Sequence, residues 1–159
     1  KPLFTAFDGR IGRKRFWRGY LVIIGIALLV SMGIPSLAIS HPGSEHLAAL
    51  ILSLAILYPA AAISVKRLHD RDKSGWLAAL FLVPGPFLQI LELLGIAGGL
   101  ARAPGAALLP HVISWVLTAL IIVAGIWAVI ELGFCKGTTG PNRYGPDPVE
   151  PSGLVAARA

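Results

Sequence analysis

The run "VISWVLTALIIVAGIWAVIELGF", Val112 to Phe134, carries one formal charge, Glu131, close to its end. A helix rising about 1.5 Å per residue crosses a hydrocarbon core of about 30 Å in roughly 20 residues, so this run is long enough to span a bilayer. A soluble helix of that length would show a charged face. None is present, and lipid is the solvent that the run implies.

The rest of the chain agrees. Of its 159 residues, 55% are hydrophobic and 14% charged, against about 45–50% and about 25% in soluble domains. An ordinary soluble domain is thereby excluded. Between Arg18 and Glu45 there is no formal charge around "YLVIIGIALLVSMGIPSLAI" (Tyr20 to Ile39), and Glu45 and Lys66 bracket "HLAALILSLAILYPAAAISV" (His46 to Val65). A third run begins at Trp76, is interrupted by Pro84-Gly85-Pro86, and carries Glu92 near its far end. The expected spans are about 17–40, 46–65, 76–98 and 112–134. The first is not read as a signal peptide, because its apolar run exceeds the roughly 7–15 residues of such a segment and three more follow. If Pro84-Gly85-Pro86 turned the chain back as a re-entrant loop, the topology would change by one crossing, and that backbone would need shielding by protein or water.

Basic residues orient the spans. Lys1, Arg10, Arg13, Lys14, Arg15 and Arg18 precede the first; Lys66, Arg67, Arg71 and Lys73 join the second and third; Lys136, Arg143 and Arg158 follow the fourth. Arg102 alone lies on the other side. By the positive-inside rule the chain is an all-α, polytopic membrane protein with four transmembrane helices and both termini cytoplasmic. Trp17, Tyr20 and Trp76 fall at the inner interface and Trp115 at the outer. Residues 1–149 read as a single membrane domain and 150–159 as a disordered tail. The net charge of +6 does not point to nucleic acid, since no soluble domain or recognition motif presents it. Attraction to anionic headgroups, about 1 kcal/mol per basic residue near the surface, accounts for it.

Three polar stretches punctuate the spans: "FDGRIGRKRFW" (Phe7 to Trp17), "RLHDRDKSGW" (Arg67 to Trp76) and "GTTGPNRYGPDP" (Gly137 to Pro148). In order they read G-R-x-x-R-x-x-[FY]-W, R-L-H-D-x-x-x-S-G-W and G-T-x-G-x-N-x-Y-G-P-D-P. The trio resembles the domain-of-unknown-function 805 family of small bacterial inner-membrane proteins, over about Phe7 to Pro148. That resemblance implies a helical fold and the bacterial inner membrane as location, and no established activity. Here Trp76 to Phe134 has room for two spans and a loop where many members have one short apolar segment; this places all three motifs on one membrane face.

The residues themselves suggest where function would lie. Short connections force the three motifs onto a small cytoplasmic surface, where unlike charges favour pairing: Asp70 or Asp147 with Arg10, Arg13 or Arg143. The expected site comprises Arg10, Arg13 and Trp17 from the first motif and Arg67, His69, Asp70, Ser74 and Trp76 from the second. The third motif adds Asn142, Arg143, Tyr144 and Asp147. Such a set suits an anionic lipid headgroup, a small anion or a protein partner, including a second copy. His69 beside Asp70 invites an acid/base reading, in which the protein is a lipid-modifying enzyme, but adjacent side chains usually point apart. The bland reading gives Asp70, Asp72 or Ser74 to the cap of the third span. No cofactor is implied. No metal is either, since "HPGSEH", with His41 and His46, lacks a recognised ligand spacing. Cys135 is the only cysteine, and it reads as a packed thiol. Glu92 and Glu131 are intramembrane acids, which tend to face a bundle interior. They raise the alternative of a small proton-coupled transporter, with helix breaks at Pro35, Pro59 and Pro84 around its site. Glu131 is expected to pair with an inner-face arginine, Arg67 first.

Overall fold

The computed structural model describes residues 2–34, 44–98 and 107–149. Among them the chain is all helical, with no strand beyond an isolated bridge between Asn142 and Gly145. The helices are α1 (Arg13–Ser31), α2 (Ser44–Asp70), α3 (Ala79–Leu82), α4 (Pro84–Leu93) and α5 (Leu108–Ala128). A 3₁₀ turn, Gly75–Ala78, leads into α3, and α5 continues as a π-helix over Val129–Phe134. Residues 35–40 of the expected first span, His41, the loop around Arg102 and the tail 150–159 lie outside the described residues.

Among the described residues three segments are long and apolar enough to cross a membrane: His46–Asp70, Gly75–Leu93 and Leu108–Phe134. These are the second, third and fourth expected spans. In α1 the first turns hold Arg13, Lys14, Arg15 and Arg18, so its described apolar part runs only from Gly19 to Ser31. The third segment does not turn back at Pro84-Gly85-Pro86. Val83 keeps helical dihedrals (φ −77°, ψ −36°), and Pro84 opens α4, where a missing N–H costs nothing.

α2 continues past the expected edge at Val65 to Asp70. It closes in a Schellman motif: the Lys73 N–H reaches the Leu68 carbonyl at 2.9 Å and the Asp72 N–H reaches that of His69 at 3.1 Å. Asp72 takes the left-handed conformation this needs (φ 55°), which a short polar side chain tolerates. Asp72 therefore ends α2 rather than capping the third span. Ser74 holds the N-cap position of the 3₁₀ turn without a side-chain capping bond.

Packing concentrates the core at the motif end. Ile11, Phe16, Ile63, Leu68, Ala78 and Leu132 are buried together there. α1 crosses α2 at Gly19, where a Cβ would stand 2.8 Å from Ile63 Cδ1; small residues permit such approach between membrane helices. Towards the opposite ends large apolar side chains such as Leu29, Met32 and Leu109 face outward, as helices in lipid allow.

Candidate functional site

An α-helix ends with four carbonyls that have no partner within it. Two helices end side by side here, α2 and the π-helix that continues α5, and most of the motif residues are engaged in capping them. Arg67, fully buried, donates from Nε to the Leu132 carbonyl at 2.7 Å and from Nη2 to that of Cys135 at 2.6 Å. Trp17 Nε1 takes the Gly133 carbonyl at 3.2 Å and Arg13 Nη1 that of Phe134 at 3.3 Å. Four successive carbonyls at the end of the π-helix are thus covered by side chains of the first two motifs.

α2 is finished by the first and third motifs. The Ile11 N–H reaches the Lys66 carbonyl at 3.4 Å, and the Thr138 N–H and hydroxyl reach that of Asp70 at 2.8 and 3.1 Å. Asn142 Nδ2 donates to the His69 carbonyl at 2.9 Å and to Thr138 Oγ1 at 3.0 Å. Arg143 Nη2 takes the Asp72 carbonyl at 2.7 Å.

Arg10 ties all three motifs. Its Nε and Nη2 meet Asp70 Oδ1 at 3.2 and 3.1 Å. Its Nη1 donates to the Gly140 carbonyl at 2.7 Å and to that of Gly145 at 3.2 Å, and Nη2 to that of Thr138 at 2.5 Å. Asp70 Oδ2 accepts from Arg67 Nη1. One buried carboxylate is therefore shared by two buried guanidiniums, and neighbouring carbonyls take their remaining donors. Charges out of water persist only when so satisfied. Gly137 passes directly over this pair: a Cβ there would collide with the Asp70 carboxyl.

The expected site residues do converge, but into two layers. Arg10, Arg67, Asp70 and Asn142 form the inner, internally satisfied layer. The outer layer faces an open cleft of about 460 Å³ lined by Phe7, Val65, His69, Ser74, Gly75, Trp76 and Tyr144, so each motif contributes to its wall. The His69 ring stacks on that of Tyr144 (centroids 3.8 Å apart, planes at 6°), with Nδ1 3.3 Å from the Gly9 carbonyl. Trp76 is 87% exposed. The Arg143 guanidinium lies 4.8 Å from the Tyr144 ring and is held by Asp72 at 3.1 Å. His69 and Asp70 face different surroundings, the cleft and the buried arginines, as adjacent residues on a helix must.

Among the described residues Asp147 does not pair with an arginine. It turns the third motif on itself, accepting from the Val149 N–H at 2.9 Å and the Gly140 N–H at 3.0 Å, and the Val149 bond holds its carboxyl below the usual carboxylate range. Glu131 is ion-paired, though not with Arg67: Lys73 Nζ stands 2.7 Å and Arg71 Nε 3.1 Å from its Oε1. Arg67 points the other way, to the carbonyls. Glu92 is half-buried near the end of α4. Among the described residues no three His, Cys, Asp or Glu side chains are grouped to hold a metal ion.

Sequence reading missed Thr138, which takes the Asp70 carbonyl, and Lys66, whose Nζ holds the Pro2 and Leu3 carbonyls at 2.8 and 2.6 Å. Their acceptors are backbone atoms, which no residue type marks.

A family described as "Protein of unknown function (DUF805)" matches residues 4–146, which takes in the first two motifs and the third as far as Pro146. "Uncharacterized protein YiiR" of Escherichia coli (strain K12) is 35% identical over 143 residues, covering 89% of this chain and 85% of the relative. "Inner membrane protein YhaH" of the same organism is 30% identical over 146 residues, 91% of this chain and 88% of the relative. "Inner membrane protein YhaI" is 29% identical over 148 residues, 91% and 87%. No solved structure matches the chain.

Proposed function

The chain belongs to the DUF805 family of proteins of unknown function and is an inner-membrane protein; on that premise we propose that it is a non-catalytic module whose motif face holds an anionic lipid headgroup. The fuller reading is one membrane domain over residues 1–149, with four membrane helices and both termini cytoplasmic, which sets the motif face against the anionic inner leaflet.

One observation carries the headgroup reading. α1 opens with Arg13, Lys14 and Arg15, followed by Arg18, all exposed, with no acidic residue in its first turn. None of the ion pairs among the described residues includes them. Cations at a helix N-terminus oppose the helix dipole, so this end of α1 is unfavourable until an anion lies against it, and anionic headgroups supply one. The inner layer makes the platform rigid, because Arg10 and Arg67 fix the helix ends. Arg143, over the Tyr144 ring, then flanks the cleft of His69, Ser74, Trp76 and Tyr144, where an interfacial aromatic wall suits the upper part of a lipid. The stacking of His69 on Tyr144 and its separation from the Asp70 carboxylate favour binding over acid/base chemistry.

The test is mass spectrometry of the full chain released from nanodiscs holding equal phosphatidylglycerol and phosphatidylcholine. Phosphatidylglycerol should be retained preferentially, and the joint change Arg15→Gln and Arg18→Gln should abolish the preference. Retention indifferent to headgroup charge would overturn the reading. Topology is tested by labelling from outside in a Cys135→Ser background: Ser44→Cys should react and Ser152→Cys should not. Labelling of the second would place the tail outside.

A further inference from the structure

The turn at Asp8 and Gly9 encloses, against α1 and α2, a polar pocket of about 140 Å³. Lys66, only 3% exposed, lines it. An ammonium has three N–H donors, and the Pro2 and Leu3 carbonyls take two of them, at 2.8 and 2.6 Å. Carbonyls solvate the charge without neutralising it, and none of the ion pairs among the described residues includes Lys66. Exposed Arg15 lines the same pocket and is likewise outside those pairs. Arg10, also in the wall, has its donors engaged by Asp70 and the third motif; in that layer two guanidiniums share one carboxylate, so it too is positive. Among the described residues Asp8 is the one acid lining the pocket. A buried ammonium without a counter-charge is costly, and here the neighbouring wall adds to its charge. The depth is that of lipid headgroups. Leu3 packs where α1 crosses α2, 3.0 Å from the Cβ position of Gly19, and the Tyr58 hydroxyl donates to the Thr5 carbonyl at 3.0 Å. Lys66 itself lies about one turn before the end of a segment apolar enough to span the membrane.

We infer that this pocket takes the terminal phosphate of a phosphomonoester lipid of the phosphatidic acid class, its oxygens accepting from the third Lys66 proton and from the Arg15 guanidinium. The inference rests on the headgroup reading of this face and names the headgroup. Lysine and arginine are the side chains that hold phosphate oxygens. The pocket is well below the roughly 300–1,000 Å³ of a drug-sized site, so it admits a bare phosphate and not one that carries glycerol or choline. A monoester phosphate carries about −1.5 to −2 charges at pH 7, more than the single charge of a diester, and two cations outside any ion pair match it.

In the test, the full chain is reconstituted in phosphatidylcholine nanodiscs holding equal small fractions of phosphatidic acid and phosphatidylglycerol, and the lipid retained on release is counted by mass spectrometry. Phosphatidic acid should be retained about tenfold over phosphatidylglycerol, the factor that one further hydrogen bond to a charged group carries. Arg15→Gln, at an exposed position, should remove that preference, and so should Lys66→Gln; if Lys66→Gln lowers helix content, Arg15→Gln decides alone. Lys136→Gln, which takes an equal charge from another exposed position, should leave the preference unchanged. Equal retention of the two acidic lipids, with phosphatidylglycerol still above phosphatidylcholine, overturns the inference and leaves the headgroup reading standing; equal retention of all three removes both. An equal loss from Lys136→Gln and Arg15→Gln would make the preference one of overall charge. Displacement of phosphatidic acid by millimolar glycerol phosphate would give the pocket to a soluble phosphate. Either result also overturns the inference.

Discussion

At the motif end Arg67 is fully buried among backbone carbonyls, whereas Leu29, on the far half of α1, is 73% exposed. The two regions invert the usual order of a soluble protein, with charge inside and large apolar groups outside. The reason is the solvent. In lipid, apolar contact between helices gains little over apolar contact with acyl chains, so the lipid-facing half can leave a cleft open between α1, α2 and α4. At the motif end the helices stop, carbonyls need partners, and a misplaced guanidinium has a large desolvation cost. Specific geometry is therefore enforced where the chain is polar.

The largest way to break this contrast is Arg67→Met. It leaves the Leu132 and Cys135 carbonyls empty and Asp70 short of one cation, which should cost about 3–5 kcal/mol in unfolding of the full chain in bilayers by steric trapping. Leu29→Ala should stay within about 0.5 kcal/mol. Similar losses for the two would erase the distinction. Next comes Gly137→Ala, whose added methyl lands on the Asp70 carboxyl; overpacking of this kind should cost about 1–3 kcal/mol, read as a lower thermal midpoint in detergent. An unchanged midpoint would mean that the third motif is not seated on the ion pair.

How much of this was legible without coordinates depends on whether the partner was a side chain. Runs poor in charge marked the second, third and fourth spans, and each overlaps a described segment long and apolar enough to cross a membrane. Their edges were drawn at charges, and so α2 was expected to stop at Val65, although Lys66, Arg67 and Asp70 continue it because carbonyls and arginines receive them. The convergence of the motifs followed from short connections, and the pairing of Asp70 with Arg10 followed from charge. The role of Arg67 did not: a sequence displays Glu131 as an acid in want of a cation, but not Leu132 and Cys135 as carbonyls at a helix end. Nor could it foresee that Arg71 and Lys73, beyond the Schellman turn, would be the residues facing Glu131. Trp17 was placed at the interface, and its bond to the Gly133 carbonyl was beyond reach for the same reason.

The smallest effect concerns the third motif alone. The folded pKa of Asp147 lies below its usual 3.8, so its contribution is present above the unfolded value and is lost as pH falls through the folded one. The Gly140 amide resonance should shift with a midpoint below that of an ordinary carboxylate, and Asp147→Asn should flatten the titration. A midpoint at or above 3.8 would show that the turn is not formed in the membrane.

The most direct measurement of the shared layer is a double-mutant cycle on Arg10 and Asp70, which belong to different motifs and stand 3.1 Å apart. Arg10→Gln, Asp70→Asn and the double variant would be unfolded in bilayers beside the unaltered chain. If the motifs form one satisfied layer, Arg10→Gln takes one of two cations from Asp70 while Asp70→Asn leaves both guanidiniums without their carboxylate, so the double change costs less than the two combined, with a coupling above about 1 kcal/mol. Additivity within about 0.3–0.5 kcal/mol would contradict it, and the motifs would then be independent hinges whose charges only orient the helices.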